Sequence, residues 1–349
     1  MDIGSDFESP QPDVLCPEPV NVPWAVGPGR VSYLQTGRGA LRSVAALLSS
    51  RGCHSLVFPA FHCQTMVEPF VSMGWSVALV PMTADLSMDA DALVQVVLGL
   101  HGSCLVYIAE YFGRQPSAAL MEAAMVLRES GVEVLDDETH RVFHPGGLAS
   151  SFAIGSLRKL LPVADGAYVR SEQDGLEVAG RTECAGCQRW AAMDMRAVDD
   201  GLTSETREAF VASNDRLEAA SGMEPPCERT QTTIDHLNYE VLAARRVRNA
   251  EVLVELLDGR YPIINPPTHG TVPSNLVIRV EDPRRLQRAL AEQRIFAPIH
   301  WPVSPVCTDK VLWPCDLLSL PIDHRYVEDD MERIASLLVC RNGHPTGAT

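Results

Sequence analysis

Apolar and polar positions follow two periods along this chain. Over 37–52 (GRGALRSVAALLSSRG) apolar residues recur every three to four positions, the spacing of one helix face, whereas SLVFPA at 55–60 is a short continuous apolar run broken at Pro59. The same pair of patterns repeats. Helices are predicted at 63–74, 89–100 and 116–131, and strands at 76–82, 104–113 and 132–140. Strands that are apolar at consecutive positions are buried on both faces, so this alternation predicts an α/β fold with a mainly parallel sheet covered by helices on both sides. Ligands of such sheets bind beyond the carboxyl ends of the strands.

Two further strands are predicted at 151–156 and 166–170, with SLRKLLPVAD between them, followed by a polar stretch with helical pieces to about residue 230. A long helix from Ile234 to Leu257 reads as the bridge to a second unit. That unit contains strand SNLVIRV, helix DPRRLQRALAEQ, strand-like IFAPIHWP and a closing helix VEDDMERIASLLV, a small α+β set. Six prolines between Pro10 and Pro28 forbid regular structure near the start and predict an extended arm, free to drape over the body or a partner subunit. The expected organisation is arm 1–30, large domain 31–233, and bridging helix with small C-terminal domain 234–349.

Composition narrows the function. Of 349 residues, 29 are Lys or Arg and 45 Asp or Glu, a net charge of −16, which repels nucleic acid and anionic lipid over most of the surface. With no basic-then-apolar leader and no run of about 18 apolar residues, a cytoplasmic protein is expected. The ten cysteines are scattered through apolar runs, as buried free thiols are in a reducing compartment. Cys184 and Cys187 form a CxxC, but without a second pair or a His at zinc spacing, no metal is expected. Twenty-seven of the 29 basic residues are Arg; only Lys159 and Lys310 are Lys. Unlike Arg, Lys can lose its proton when desolvated and act as a nucleophilic amine.

The candidate chemistry gathers at strand ends. Asp137 and His140 lie in VLDDETH at the mouth of a parallel strand, and Ser156 and Lys159 form S-x-x-K some twenty residues on. An amine to hold an aldehyde, a carboxylate to pair with a pyridinium and donors for a phosphate together suit pyridoxal phosphate. TGRGAL at 36–41 puts two glycines at a helix start, where free N–H groups and the helix dipole favour an anion. A dinucleotide fingerprint is not met, since GRGAL lacks the third glycine and no strand is predicted before it.

GRGAL (37–41), FPAFHC (58–63), YFG (111–113), VLDDETH (134–140), SLRKLLPVADGAYV (156–169), HWP and LPIDHRYVEDDMERI occur in the order of the DegT/DnrJ/EryC1/StrS aminotransferases, which the chain resembles from about residue 31 to 340. The resemblance implies a fold-type-I pyridoxal-phosphate transferase: a large domain with a mainly parallel seven-stranded sheet between helices, and a small C-terminal α+β domain. It also implies a homodimer with shared active sites. Lys159 would carry the cofactor as a Schiff base, Asp137 would pair with the pyridinium, and His140 would lie near the ring hydroxyl. Gly39 and Ala40 would give backbone N–H groups to the phosphate.

Two positions depart from the family. The serine five before the lysine is Ile154 here, which moves the hydroxyl role to Ser156. The ring-covering aromatic is replaced by Cys63, leaving Phe61 or His62, of which His62 is chosen. The family's dehydratases carry His in place of the lysine, so Lys159 speaks against that branch. On the substrate side, His300 matches a family histidine segment, Trp301 reads as core packing, and Arg325 either binds a substrate carboxylate or pairs with Asp329. Asn249 matches a helix position with no assigned role.

The expected reaction is transamination from an amino acid, glutamate by resemblance, to a keto group of a biosynthetic intermediate such as a nucleotide-linked keto sugar. The alternatives are racemisation, elimination or cyclisation with the same cofactor, or a non-catalytic sensor on the same fold.

Overall fold

The structure, a computed structural model, describes residues 2–180, 185–198, 203–306 and 313–341. Seven five-residue strands form the main sheet: β1 (Arg30–Leu34), β2 (Ser55–Pro59), β3 (Ser76–Val80), β4 (Leu105–Ala109), β5 (Glu133–Asp137), β6 (Phe152–Ser156) and β7 (Ala167–Ser171). Their spatial order is β1-β7-β6-β5-β4-β2-β3. The run from β3 to β6 is parallel, and β7 lies antiparallel between β6 and β1. Two reversals return β1 to the direction of β6, so both strands end on the same edge of the sheet.

Continuous apolar strands follow from cover on both faces. Leu56, Phe58, Leu105, Tyr107 and Leu135 pack with α1 (Gly37–Ser50) and α2 (Gln64–Val71). Val57, Val106, Ile108 and Val134 point the other way, into α3 (Ala90–Leu98) and α4 (Ala118–Glu129). Side chains alternate along a strand, which places Tyr107, Leu135 and Asp137 on the α1 face. Three helices follow: α5 (Ala185–Val198), α6 (Ser204–Ala219) and α7 (Glu228–His236).

Beyond α8 (Tyr239–Leu257), strands β8 (Leu276–Arg279) and β9 (Leu317–Leu320) pair antiparallel. They share an apolar cluster with α8, with α9 (Pro283–Ala291) and with α10 (Glu328–Arg341). Asn249 of α8 donates to the carbonyls of Asp323 and Tyr326, both at 3.0 Å, tying this helix to the turn before α10.

Three expectations from the pattern are corrected. A strand, β1, does precede GRGAL, as an edge strand against β7. The helix expected from Ile234 to Leu257 is split: Leu237 is extended, and Asn238 caps α8 by accepting the Val241 N–H at 3.1 Å. The break exposes backbone groups that the arm takes up, with Cys16 N–H on His236 O at 2.7 Å and Asn238 N–H on Val14 O at 2.9 Å. The segment 295–302 forms no strand beyond a bridge between Ile295 and Ile3, since Pro298 and Pro302 lack N–H donors; β9, which the pattern did not mark, pairs with β8 instead. The arm is not confined to one unit. Trp24 is fully buried, stacked on Tyr168 at 5.1 Å, a contribution of about 2–3 kcal/mol, while Ile3 joins the cluster around β8.

Candidate active site

Because β1 and β6 end on one edge, the start of α1 comes down beside the end of β6. A Cβ on Gly37 would stand 3.0 Å from Cβ of Ser156. Between these elements and the end of β5 lies a cleft whose empty space, open solvent included, is about 550 Å³. Gly37, Arg38, Ser156 and Arg158 line one part of it, and Asp137, Thr139 and Lys159 also face it.

Asp137 ends β5 and is 7% exposed. Its Oδ2 accepts the Tyr107 hydroxyl and its Oδ1 accepts the Thr139 N–H at 2.9 Å, so the carboxylate is oriented by two donors. Burial and the Asp137 charge push the Tyr107 phenol well above its usual range, which keeps it a donor. Thr139 in turn accepts the Ser156 N–H at 3.1 Å, linking the ends of β5 and β6. Tyr107 was missed from sequence, although its place two residues from the end of β4, on the face that carries Asp137, was a usable signal.

Lys159 stands in a single 3-10 turn, Leu157–Lys159, directly after β6. It lines this cleft and two adjoining cavities, and among the described residues its amine has no hydrogen bond or ion pair. Lys310 lies outside the described residues. Ser156 is also free at its hydroxyl among the described residues, although it is only 7% exposed.

At the start of α1 the two N–H groups expected to hold an anion are engaged within the chain. The Gly39 N–H is taken by the Thr36 hydroxyl at 3.0 Å and the Ala40 N–H by the Thr36 carbonyl at 3.0 Å. The N–H groups that no helical carbonyl can reach are those of Gly37 and Arg38, and these two residues line the cleft. Gly39 is needed elsewhere, since a Cβ there would fall 1.9 Å from the Gly222 carbonyl oxygen.

His62 is not brought to the cleft. Its ring is fully buried between Phe58 and Trp313, with Nδ1 on the Pro59 carbonyl at 2.8 Å, and burial lowers its pKa. Thr65 and Met66, one turn further along, line the cleft instead. One helical turn separates the residue that the motif matched from the residues that α2 presents.

A second, open cavity, about 1000 Å³ with open solvent included, is also lined by Lys159. His140 and His300 line it with Trp301, and the arm closes one side with Gly4, Ser5 and Phe7. His140 Nδ1 accepts the Phe112 N–H at 3.0 Å, which leaves the proton of the neutral ring on Nε2. Burial, aided by Lys159 and His300, holds its pKa well below the usual value. His300 is similarly pushed down, to about 4, and its Nδ1 lies 2.7 Å from the Ser319 hydroxyl. Trp301 packs on Phe61 and Tyr111 and lines the cavity as well.

Arg325 also lines this cavity, but its donors are spent. Nε and one terminal nitrogen reach Asp323 at 2.8 and 2.9 Å, and the terminal nitrogens reach Ser5 O, Asp6 O and Glu8 at 2.8, 2.9 and 3.1 Å. It therefore pins the arm, and its ion partners are Asp323 and Glu8 rather than Asp329. Cys184 lies outside the described residues; Cys187 Sγ stands 3.3 Å from Cys227 Sγ. Among the described residues no cluster of His, Cys, Asp and Glu has a metal-holding arrangement, and no helix is long and apolar enough to cross a membrane.

No protein-family model matches the chain, and no curated protein matches it in sequence. Solved structures do match in three dimensions. A DegT DnrJ EryC1 StrS aminotransferase from Brucella abortus superposes with a TM-score of 0.61 at 15% identity, over 92% of this chain and 88% of that one. Helicobacter pylori PseC, an aminotransferase involved in the biosynthesis of pseudoaminic acid, gives 0.62 at 11% identity over 97% and 99%. The sugar aminotransferase CalS13 from Micromonospora echinospora gives 0.58 at 12% over 90% and 87%. What the chain shares with them, at these identities, is the fold.

Proposed function

We propose that this chain is a pyridoxal-phosphate-dependent aminotransferase that moves an amino group from an amino acid, glutamate in the first instance, to a keto group of a biosynthetic intermediate such as a keto sugar. The observation that carries this reading is the convergence of an unpartnered Lys159 amine and a doubly anchored Asp137 carboxylate on one cleft. The donor set suits the cofactor: the buried Ser156 has a hydroxyl without a hydrogen bond among the described residues, and Gly37 and Arg38 offer free N–H groups at the opposite element. Solved structures of the same fold that are described as aminotransferases support the reaction class.

Bound there, pyridoxal phosphate supplies an aldehyde carbon that takes up the amino group and a ring that accepts the electron pair released at the substrate carbon. The chain's own residues do the rest. Lys159 Nζ would hold the cofactor and would serve as the base that moves the proton, a task for which its place lining both cavities suits it. Asp137 pairs with the ring nitrogen, and Tyr107 and Thr139 fix the direction of that carboxylate. Neutral His140 offers Nε2–H as a donor without adding positive charge beside Lys159. The second cavity, walled by His300, Trp301 and the arm, receives the substrate, and the arm excludes water from one side. The reading includes the homodimer with shared sites that the resemblance implies.

The test is an absorption spectrum of the purified protein with pyridoxal phosphate, before and after glutamate, beside Lys159→Ala. A visible band that depends on Lys159 and bleaches with glutamate is expected. No Lys159-dependent band would overturn the cofactor assignment, and a band indifferent to every amino acid would overturn transamination.

A further inference from the structure

Three arginines from three elements come together beside the free end of α1: Arg38 of α1, Arg158 after β6 and Arg189 of α5. Two have work to do within the chain. Arg189 reaches Asp6 and Asn214 at 2.6 and 2.5 Å, and Arg38 leans on the Leu217 carbonyl at 3.5 Å. Arg158 lines the cleft yet, among the described residues, makes no hydrogen bond and no ion pair.

A guanidinium in such a place is costly. Burial pushes the Arg158 pKa down to about 10; the charges of Arg189 and Arg38 push the same way, and Asp6 and Glu218 oppose them. Arg158 is half-buried, and a partly desolvated cation without a hydrogen-bonded counter-ion is held at some expense of stability unless a bound anion compensates it. Beside it, in a cleft that Glu218 also lines, stand donors of the kind an anion needs. The Gly37 and Arg38 N–H groups are unreachable by helical carbonyls, and Ser156, a buried residue, has a hydroxyl without a hydrogen bond among the described residues. An arginine fork can give two parallel bonds to a phosphate, which a lysine cannot.

On the cofactor reading above, we infer that Arg158 is the cation that pairs with the phosphate of pyridoxal phosphate, completing with Ser156 Oγ and the first N–H groups of α1 a seat for a dianion. The residue immediately before Lys159 thereby sets the preference for the phosphorylated cofactor over its unphosphorylated form. The two neighbouring residues divide the molecule, Lys159 taking the aldehyde and Arg158 the phosphate.

The test compares binding of pyridoxal phosphate and of pyridoxal to wild type, Arg158→Gln and Arg158→Lys, followed by quenching of tryptophan fluorescence. Arg158→Gln should weaken pyridoxal phosphate on the order of 10- to 100-fold and pyridoxal by less than about 3-fold, the usual range for a lost charge-assisted contact against an untouched one. Arg158→Lys should fall between. Inorganic phosphate should compete with pyridoxal phosphate in wild type and lose that competition in Arg158→Gln. Equal losses for both ligands in Arg158→Gln, or undiminished affinity for pyridoxal phosphate, would overturn the assignment while leaving the cofactor reading intact. If Arg158→Gln does not fold, wild-type affinity for pyridoxal phosphate in Arg158→Lys overturns it. Failure of the wild type to show Lys159-dependent binding of either ligand is the separate result that overturns the cofactor reading itself.

Discussion

The Tyr107 hydroxyl donates to Oδ2 of Asp137, joining the middle of β4 to the last residue of β5. The bond lies on the face of the sheet covered by α1 and α2, under the cleft that Lys159 lines. It fixes the direction of the carboxylate from below, and Thr139 N–H fixes it from the side.

Tyr107→Phe removes one of those two donors and nothing else of the ring. Turnover should fall about 10-fold with the cofactor still bound, and stability by about 1–2 kcal/mol, the cost of leaving a buried acceptor short of one partner. Because the phenol is held well above its usual range, the rate ratio of wild type to variant should be constant between pH 6 and pH 9. Steady-state rates and urea denaturation check this; an unchanged rate would remove Tyr107 from the site.

Asp137→Ala should be far more severe. Loss of an oriented charge at the reacting group costs about 100- to 1000-fold in turnover, while Lys159 can still hold the cofactor. Near-normal rates in a variant that shows the Lys159-dependent band would refute the role given to Asp137.

Gly39 and Gly37 should separate stability from binding. A Cβ at Gly39 meets the Gly222 carbonyl oxygen at 1.9 Å, so Gly39→Ala should cost about 1–3 kcal/mol. At Gly37 the nearest atom is Cβ of Ser156 at 3.0 Å, and Gly37→Ala should chiefly weaken pyridoxal phosphate. Thermal melts and cofactor titrations of the two variants decide; the reverse pattern would restore Gly39 to the anion seat.

His324 gives a pH signature. It is 4% exposed, stacked on Phe7 at 5.5 Å, and its Nδ1 has no partner. Burial pushes its pKa down to about 3; Arg246, Arg325 and Arg245 act in the same direction and Asp323 against it. The unfolded chain binds this proton from about pH 6.5 downward, and the folded chain does not until about pH 3. Its contribution is therefore full above pH 6.5 and is lost as the pH falls. Between pH 7 and pH 5, wild type should lose about 2 kcal/mol relative to His324→Phe. Parallel stability curves for the two proteins would contradict this.

Arg325→Gln should free the arm without emptying a carboxylate site. Protease cleavage within residues 2–9 should speed up and the melting temperature fall, while KM for glutamate changes less than about 5-fold. A rise of roughly 100-fold in KM with the arm still protected, the size of a lost charged contact, would return Arg325 to the substrate.

Much of the large sheet was legible because β2 and β4 are apolar at consecutive positions, and only burial on both faces selects such strands. Lys159 and Asp137 could be placed for a related reason: strand ends reveal themselves where the apolar run stops, and both residues stand at such a stop. β1 and β9 were not. Their patterns, RVSYL and LLSL, acquire meaning only from partners β7 and β8, more than thirty residues away in the chain. His62 and Gly39 were named from motif positions, but which residue of a helical turn faces a cleft depends on how that helix lies on the sheet.

The sequence by itself determined the layered α/β order, the placing of an amine and a carboxylate near strand ends, and the two positions where Lys is kept beside so many Arg. Local period, strand length and side-chain chemistry are properties of short stretches, and short stretches can be read. Tertiary structure alone decided which donors remain free. Thr36 spends the N–H groups of Gly39 and Ala40, the arm spends Arg325, and Arg158 is left without a hydrogen bond or ion pair among the described residues. Hydrogen-bonding capacity is a limited quantity that the whole fold distributes, and what it leaves unused around one cleft is what a ligand can take.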